Sequence, residues 1–220
     1  SLFARVVLND GGIVIGAAYD ERLKVRHIAI SDTNDLDKLR GSKYVQSEIG
    51  DSYSQVKSYL NNGRKVLFCG TPCQVAGLYK FLNKKYDGQL ITIDLVCHGV
   101  PSPLTFERYL EKLKKIDRPK GGNIEGFRFR KLDSWDYRPA VKFSESKWRI
   151  LEQEQNVYMS AFFKGWTYRE CCFNCKYANM NRVGTYTIAD FWGIGKHGIS
   201  FKRNVASGVS LVIDNYGKLK

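Results

Sequence analysis

The chain has 220 residues, 43% of them hydrophobic, with five prolines and six cysteines; that supports one sizeable core and argues against disorder and against a disulfide scaffold. No run approaches the ~18 apolar residues of a membrane span, and the start does not resemble a signal peptide. A formal charge of +13 favours phosphate-bearing cofactors, an acidic carrier protein or nucleic acid, but the basic residues are scattered without an aromatic-interleaved helix, which argues against nucleic acid. A soluble, cytoplasmic protein is predicted.

Leu2 to Asn9 reads as the end of a helix, and with no initiator methionine the chain reads as a piece of a longer one. Gly11 and Gly12 stop that helix, and Ile13 to Tyr19 and Leu23 to Ile30 predict a hairpin turning at Asp20 and Glu21. A short polar helix is predicted over Asp32 to Arg40. The loop Gly41-Ser42-Lys43-Tyr44-Val45-Gln46-Ser47 follows, rich in side-chain donors and readable either as a solvated loop or as part of a site. Ser52 to Asn62 predicts another helix, closed by Gly63.

Lys65 to Pro103 is the centre of the chain. Val66 to Cys69 is an apolar run suited to a strand buried on both faces. Gly70 ends it, Thr71 caps the next helix, Pro72 takes its first position, and Val75, Leu78, Tyr79, Leu82 and Tyr86 recur at helical spacing. Cys73 therefore falls in the first helical turn, where unpaired N–H groups favour a thiolate. Leu90 to Val96 is a second strand, followed by Cys97, His98 and Gly99, and Ser102 and Pro103 open a helix with Leu104, Phe106, Leu110 and Leu113 on one side. A helix joining two parallel strands puts Cys73 and Cys97 together at the strands' carboxyl ends, where open α/β sheets bind ligands.

Beyond a turn at Asp117 to Gly122, Ile124 to Arg130 alternates Phe127 and Phe129 with Arg128 and Arg130, as a half-exposed strand would. Ala140 to Ser144 and Lys147 to Leu151 predict a hairpin turning at Glu145 and Ser146. Asn156 to Trp166 predicts a helix with Tyr158, Phe162 and Trp166 four apart. Thr185 to Trp192, interrupted by Asp190, and Val209 to Asp214 read as the last strands. The fold class is α/β: a mixed, centrally parallel sheet with flanking helices, one unit over residues 1–220 with a cysteine-rich loop at 169–192.

Cys172 and Cys175 form C-x-x-C. With Cys73 and Cys97 they make four thiols, the number that a tetrahedral zinc or a 4Fe-4S cluster requires. Structural zinc sites usually use two close pairs, whereas two of these ligands stand alone, so the spacing favours iron-sulfur. Cys69 reads as a core thiol, Cys171 is a weaker partner for Cys175, and His98 reads as a turn histidine. There is no G-x-G-x-x-G after a strand and no Walker motif.

The motifs GSKYVQS, VLFCGTPCQVAGL, LVCHGVPSP, CCFNCKYAN and TIADFWGIGKHG, in this order, resemble the beta-subunit family of coenzyme F-420 hydrogenases and dehydrogenases over nearly the whole chain. The resemblance implies FAD beside a 4Fe-4S cluster, with Cys73, Cys97, Cys172 and Cys175 as cluster ligands. It places Lys43 and Tyr44 at the flavin, Thr71, Pro72 and Gln74 around the Cys73 turn, and Asp190 on the DFWG turn. In this family a ferredoxin-like segment with a Ser-Gly-Gly turn usually precedes the point where this sequence starts. The implied activity is electron transfer between cluster, flavin and an organic molecule such as coenzyme F-420. A ferredoxin-like carrier or a partner subunit would be the electron partner, and no side chain is assigned covalent chemistry. The rival expectation is a four-cysteine zinc module with a basic surface.

Overall fold

The computed structural model describes residues 1–116, 122–130, 137–144, 147–195, 201–202, 205 and 208–217. Helix α1 (Leu2–Asn9) precedes strands β1 (Ile13–Tyr19) and β2 (Val25–Ile30), a short 3-10 turn and α2 (Leu36–Leu39). Helix α3 (Ser52–Asn61) leads into β3 (Val66–Gly70), α4 (Pro72–Leu82), β4 (Leu90–Leu95) and α5 (Pro103–Ile116). The chain then forms β5 (Ile124–Arg128), β6 (Ala140–Phe143), β7 (Arg149–Ile150), α6 (Val157–Phe163) and α7 (Glu170–Phe173). Strands β8 (Tyr186–Asp190) and β9 (Ser210–Asp214) follow.

Among the described residues the strands form a six-stranded sheet, ordered β2-β1-β3-β4-β8-β9, and a three-stranded sheet, β5-β6-β7. The four inner strands are parallel, and the outer strands β2 and β9 run antiparallel. The carboxyl ends of β3, β4 and β8 consequently lie on one edge of the sheet.

Alternation along the strands sorts the apolar residues onto two faces. Val14 and Leu67 face α1 and α2 with Ala4, Val7, Leu8 and Leu36, while Ile13, Ile15, Val66 and Phe68 face α3 and α4 with Val56, Leu60, Val75 and Leu78. The smaller sheet has its own core, in which Phe127, Phe129 and Val141 pack on Phe106 and Leu113 of α5 and on Tyr158 and Phe162 of α6. This second sheet is an addition to the predicted single mixed sheet.

Several predicted boundaries move. Strand β2 starts at Val25 because Leu23 adopts a positive φ of 60°. Leu104 is exposed, and Tyr109 takes its place on the buried side of α5. Helix α6 stops at Phe163, before Gly165 at φ 73°, which leaves Trp166 exposed instead of stacked below Phe162. The predicted turns at Asp117 to Gly122 and at Glu145 and Ser146 fall wholly or largely outside the described residues, as does part of the GIGKHG stretch.

Joining β8 to β4 after a long excursion requires a specific contact, and Asp94 supplies it. Its side chain is fully buried; Oδ2 accepts from the backbone N–H groups of Val183 and Gly184 at 3.0 and 3.1 Å, and Oδ1 accepts from Thr187 Oγ1 at 2.5 Å. The Arg182 guanidinium lies 3.4 Å from Oδ1 and also donates to the Leu95 carbonyl at 2.7 Å. Gly184 has to be glycine, since a Cβ there would sit 2.8 Å from the Asp94 backbone nitrogen. Asp94→Ala leaves the Arg182 guanidinium without its counter-charge and the Val183 N–H, Gly184 N–H and Thr187 hydroxyl without this acceptor, so a loss of about 3–5 kcal/mol is expected in urea unfolding. A loss below about 1 kcal/mol would show that other contacts hold the two strands together.

His27 of β2 is buried against Phe68, its ring stacked at 5.1 Å, with Nε2 3.0 Å from the Cys69 carbonyl. A carbonyl only accepts, so Nε2 carries the proton and Nδ1, which has no partner among the described residues, is bare. Burial outweighs the Cys69 hydrogen bond and pushes the imidazole down to about 4. The unfolded chain then binds the extra proton first, so stability is full above the ordinary histidine value near 6.5 and falls with pH toward 4. Between pH 7 and 4.5 the wild type should lose about 2 kcal/mol more than His27→Gln, read from paired denaturation curves.

Candidate redox site

Cys73 lies in the first turn of α4, exposed, with Thr71 Oγ1 3.1 Å from its Sγ. Gln74 fastens that turn: its Oε1 accepts from the Thr71 backbone at 2.9 Å, and its Nε2 donates to the Ser47 carbonyl and hydroxyl at 3.2 and 3.0 Å. Pro72 is buried at the helix start.

Cys97 follows β4, half-buried. Burial pushes its thiol up to about 11 against a backbone hydrogen bond from Gly99, and the charges of Cys73, Cys172 and Cys175 act in the same direction as burial. Burial also raises the Cys172 thiol, opposed by a backbone hydrogen bond from Val100.

The cysteine-rich loop is clamped on both flanks to the end of β4. Before it, Tyr168 bridges Pro101 and the Arg169 N–H donates to the Val100 carbonyl at 3.1 Å; after it, Arg182 to Gly184 bind Asp94. Cys172 and Cys175 are thereby carried to the end of β4 beside Cys97, and Cys73, on its own turn, stands within charge range of Cys97. Among the described residues, however, no three His, Cys, Asp or Glu side chains stand close enough to hold a metal ion. The donor set suits a soft, sulfur-ligated centre in type, and backbone N–H groups already point at Cys97 and Cys172. Cys69 lies on the other side, packed against the α1 face, with burial pushing its thiol up to about 11.

Beside Cys97 opens a cavity of about 450 Å³, walled by Tyr44, Tyr137, Phe162 and Trp192 and reached by Asp190. Tyr137 and Trp192 stack at 5.3 Å, and Tyr44 meets Phe162 at 5.0 Å. Arg130 organises this wall: one nitrogen, Nη2, lies 2.5 Å from Tyr44 Oη, 3.2 Å from Tyr137 Oη and 2.5 Å from Asp190 Oδ2. Burial opposes its charge, but the hydrogen bonds and charges of Asp190 and Tyr44 outweigh burial and hold the guanidinium charged. A larger cavity of about 690 Å³, between the β1-β2 turn, α5 and β5, contains none of the predicted site residues.

Lys43 and Tyr44 point apart. Tyr44 enters the cavity, whereas Lys43 Nζ donates to the carbonyls of Leu39, Arg40 and Gly41 at 3.4, 3.0 and 3.1 Å, 5.6 Å from the Tyr19 ring centre. Burial lowers that amine to about 8. Arg130, Tyr137 and Trp192 were not legible as site residues: alternation marks Arg130 only as the other side of a strand, and a cavity face has the same period as a solvent face. Gln74 carried a usable signal in the spacing Thr71-x-x-Gln74, a capping-box pattern.

Residues 63–213 match the family model for the carboxyl terminus of the coenzyme F420 hydrogenase/dehydrogenase beta subunit. Among solved structures, a chain of the F420-reducing NiFe hydrogenase complex from Methanosarcina barkeri shares the fold at a TM-score of 0.52 and 18% identity, over 84% of this chain and 61% of that one. The present chain thus spans less than two thirds of that neighbour's length. No curated protein matches the chain.

Proposed function

The chain belongs to the coenzyme F420 hydrogenase/dehydrogenase beta-subunit family, and from that premise we propose that it is the part of an iron-sulfur flavoprotein oxidoreductase where a 4Fe-4S centre meets FAD. Cys73, Cys97, Cys172 and Cys175 would hold the centre, and the aromatic cavity would take the flavin ring. The observation that supports this reading most directly is the double position of Cys97. It walls the cavity and also stands within charge range of the other three thiols. When bound, the centre would supply single electrons and the flavin would convert them to hydride chemistry on an organic molecule.

The chain's own residues bind and orient. Tyr44, Tyr137, Phe162 and Trp192 offer flat apolar surfaces that exclude water from a planar ring. Arg130 ties Tyr44, Tyr137 and Asp190 into one wall and neutralises the Asp190 carboxylate that lines the cavity, so that no unpaired negative charge from that carboxylate opposes added electron density on a ring placed there. Lys43 ties the turn that presents Tyr44, and Thr71, Pro72 and Gln74 fix the turn that presents Cys73. Residues 1–220 act as one redox unit, with the cysteine-rich loop at 169–192 closing the site.

The solved neighbour belongs to an F420-reducing complex, so coenzyme F420 is the first substrate to try and a partner subunit or ferredoxin-like carrier the first donor. The net charge of +13 suits an acidic donor, steered to the site electrostatically. No helix among the described residues is long and apolar enough to cross a membrane. The free cysteines suit a reducing compartment such as the cytoplasm.

The test is anaerobic purification of the full-length protein with iron, sulfide and flavin analysis. Brown, flavin-containing material is expected; Cys97→Ser should lose iron, and Tyr44→Ala should weaken flavin retention by about tenfold, the worth of one aromatic contact. Colourless protein containing zinc would overturn the reading, and unchanged flavin affinity in Tyr44→Ala would remove the cavity from it.

A further inference from the structure

Just before the cysteine pair, two adjacent buried hydroxyls, those of Thr167 and Tyr168, have no hydrogen-bond partner among the described residues, and Tyr168 is the one whose ring packs on the turn after Cys97. The phenol oxygen of Tyr168 is sealed from solvent and has no hydrogen-bond partner among the described residues. Leaving such a group unpaired costs about 1–3 kcal/mol, so its retention calls for an acceptor.

The ring cannot swing elsewhere to find one. Gly99, at φ 115°, lies flat against it, and a Cβ on Gly99 would come within 2.9 Å of the ring carbons. His98, Phe162 and Phe173 enclose it at centroid distances of 5.7, 5.3 and 5.9 Å. Its backbone is tied as well, through the bridge from Tyr168 to Pro101 and the Arg169 N–H to Val100. Both the C-H-G turn after β4 and the approach to C-x-x-C are thus built around this phenol. The ionisable groups whose charge it feels are the thiols of Cys97 and Cys172.

We infer that Tyr168 is a positioning residue that donates its O–H to sulfur of the centre proposed on Cys73, Cys97, Cys172 and Cys175, and thereby sets its reduction potential. The inference rests on the iron-sulfur reading above. Reduction adds one electron to a sulfur-rich group and no proton moves. A hydrogen bond to sulfur stabilises the more negative state and raises the potential. A purely packing role would leave the potential unchanged, because phenylalanine fills the same space.

The experiment is a redox titration followed by electron paramagnetic resonance, on full-length wild type and Tyr168→Phe purified anaerobically with iron and sulfide assayed. Equal iron content is expected, with a midpoint lower in Tyr168→Phe by a tenfold change in the one-electron equilibrium, about 59 mV. An unchanged midpoint with the cluster retained overturns this inference and leaves the function standing. Wild type without iron and sulfide overturns both. If Tyr168→Phe fails to load iron, 3-fluorotyrosine at position 168 keeps the ring and strengthens the donor. Its midpoint should then rise, and an unchanged value overturns the inference.

Discussion

The site depends on one buried carboxylate. Asp94 lies in the middle of the parallel sheet, and its acceptor capacity is taken up by the segment that returns from the cysteine-rich loop: Arg182, Val183, Gly184 and Thr187. A buried ion pair does little for net stability when compared with an apolar replacement, yet it is intolerant of misregistration, because any shift strands charge and donors in a dry interior. That intolerance fixes β8 against β4 as Asp94 opposite Thr187, and hence fixes Asp190 and the cavity wall relative to Cys97.

The polar loop at 41–47 acts on the same problem from the other side. Ser47 receives Gln74 from the Cys73 helix, the Gln46 N–H donates to the Pro101 carbonyl beyond Cys97, and the Gln46 side chain accepts from Arg169 just before C-x-x-C. One short loop thus touches all three cysteine-bearing segments while presenting Tyr44 to the cavity. A redox site benefits from such bracing, since a rigid shell lets charge on the centre change with little reorganisation.

The sequence made the local parts of this legible and the distant parts not. The apolar run at Val66 to Cys69, the Thr71-Pro72 helix start and the strand at Leu90 state their conformations within a few residues, and the structure places them there. Putting Cys73 and Cys97 on one sheet edge followed from the parallel crossover alone. Asp94 gave no such signal, because one aspartate inside LITIDL looks like noise until its partners arrive about ninety residues later. Arg130 was hidden by symmetry of period, and Leu104 and Trp166 by helical spacing that continues past what packing covers. The second sheet was legible as strands but not as a separate sheet, since pairing is decided by contacts far apart in sequence.

Lys43 and Tyr44 illustrate why a motif is not a map of contacts. Both belong to one seven-residue run, and a resemblance assigns both to a cofactor, yet adjacent side chains in an extended segment project to opposite sides. The carbonyls of Leu39 to Gly41 at the end of α2 lack helical partners, and a lysine amine a few residues downstream satisfies them at close range. With Lys43 held there, its neighbour has to turn toward Arg130 and the aromatic wall. The guanidinium that meets Tyr44 therefore comes from Arg130, a residue far away in sequence that is paired there with Asp190, while the lysine sets the direction in which the tyrosine points.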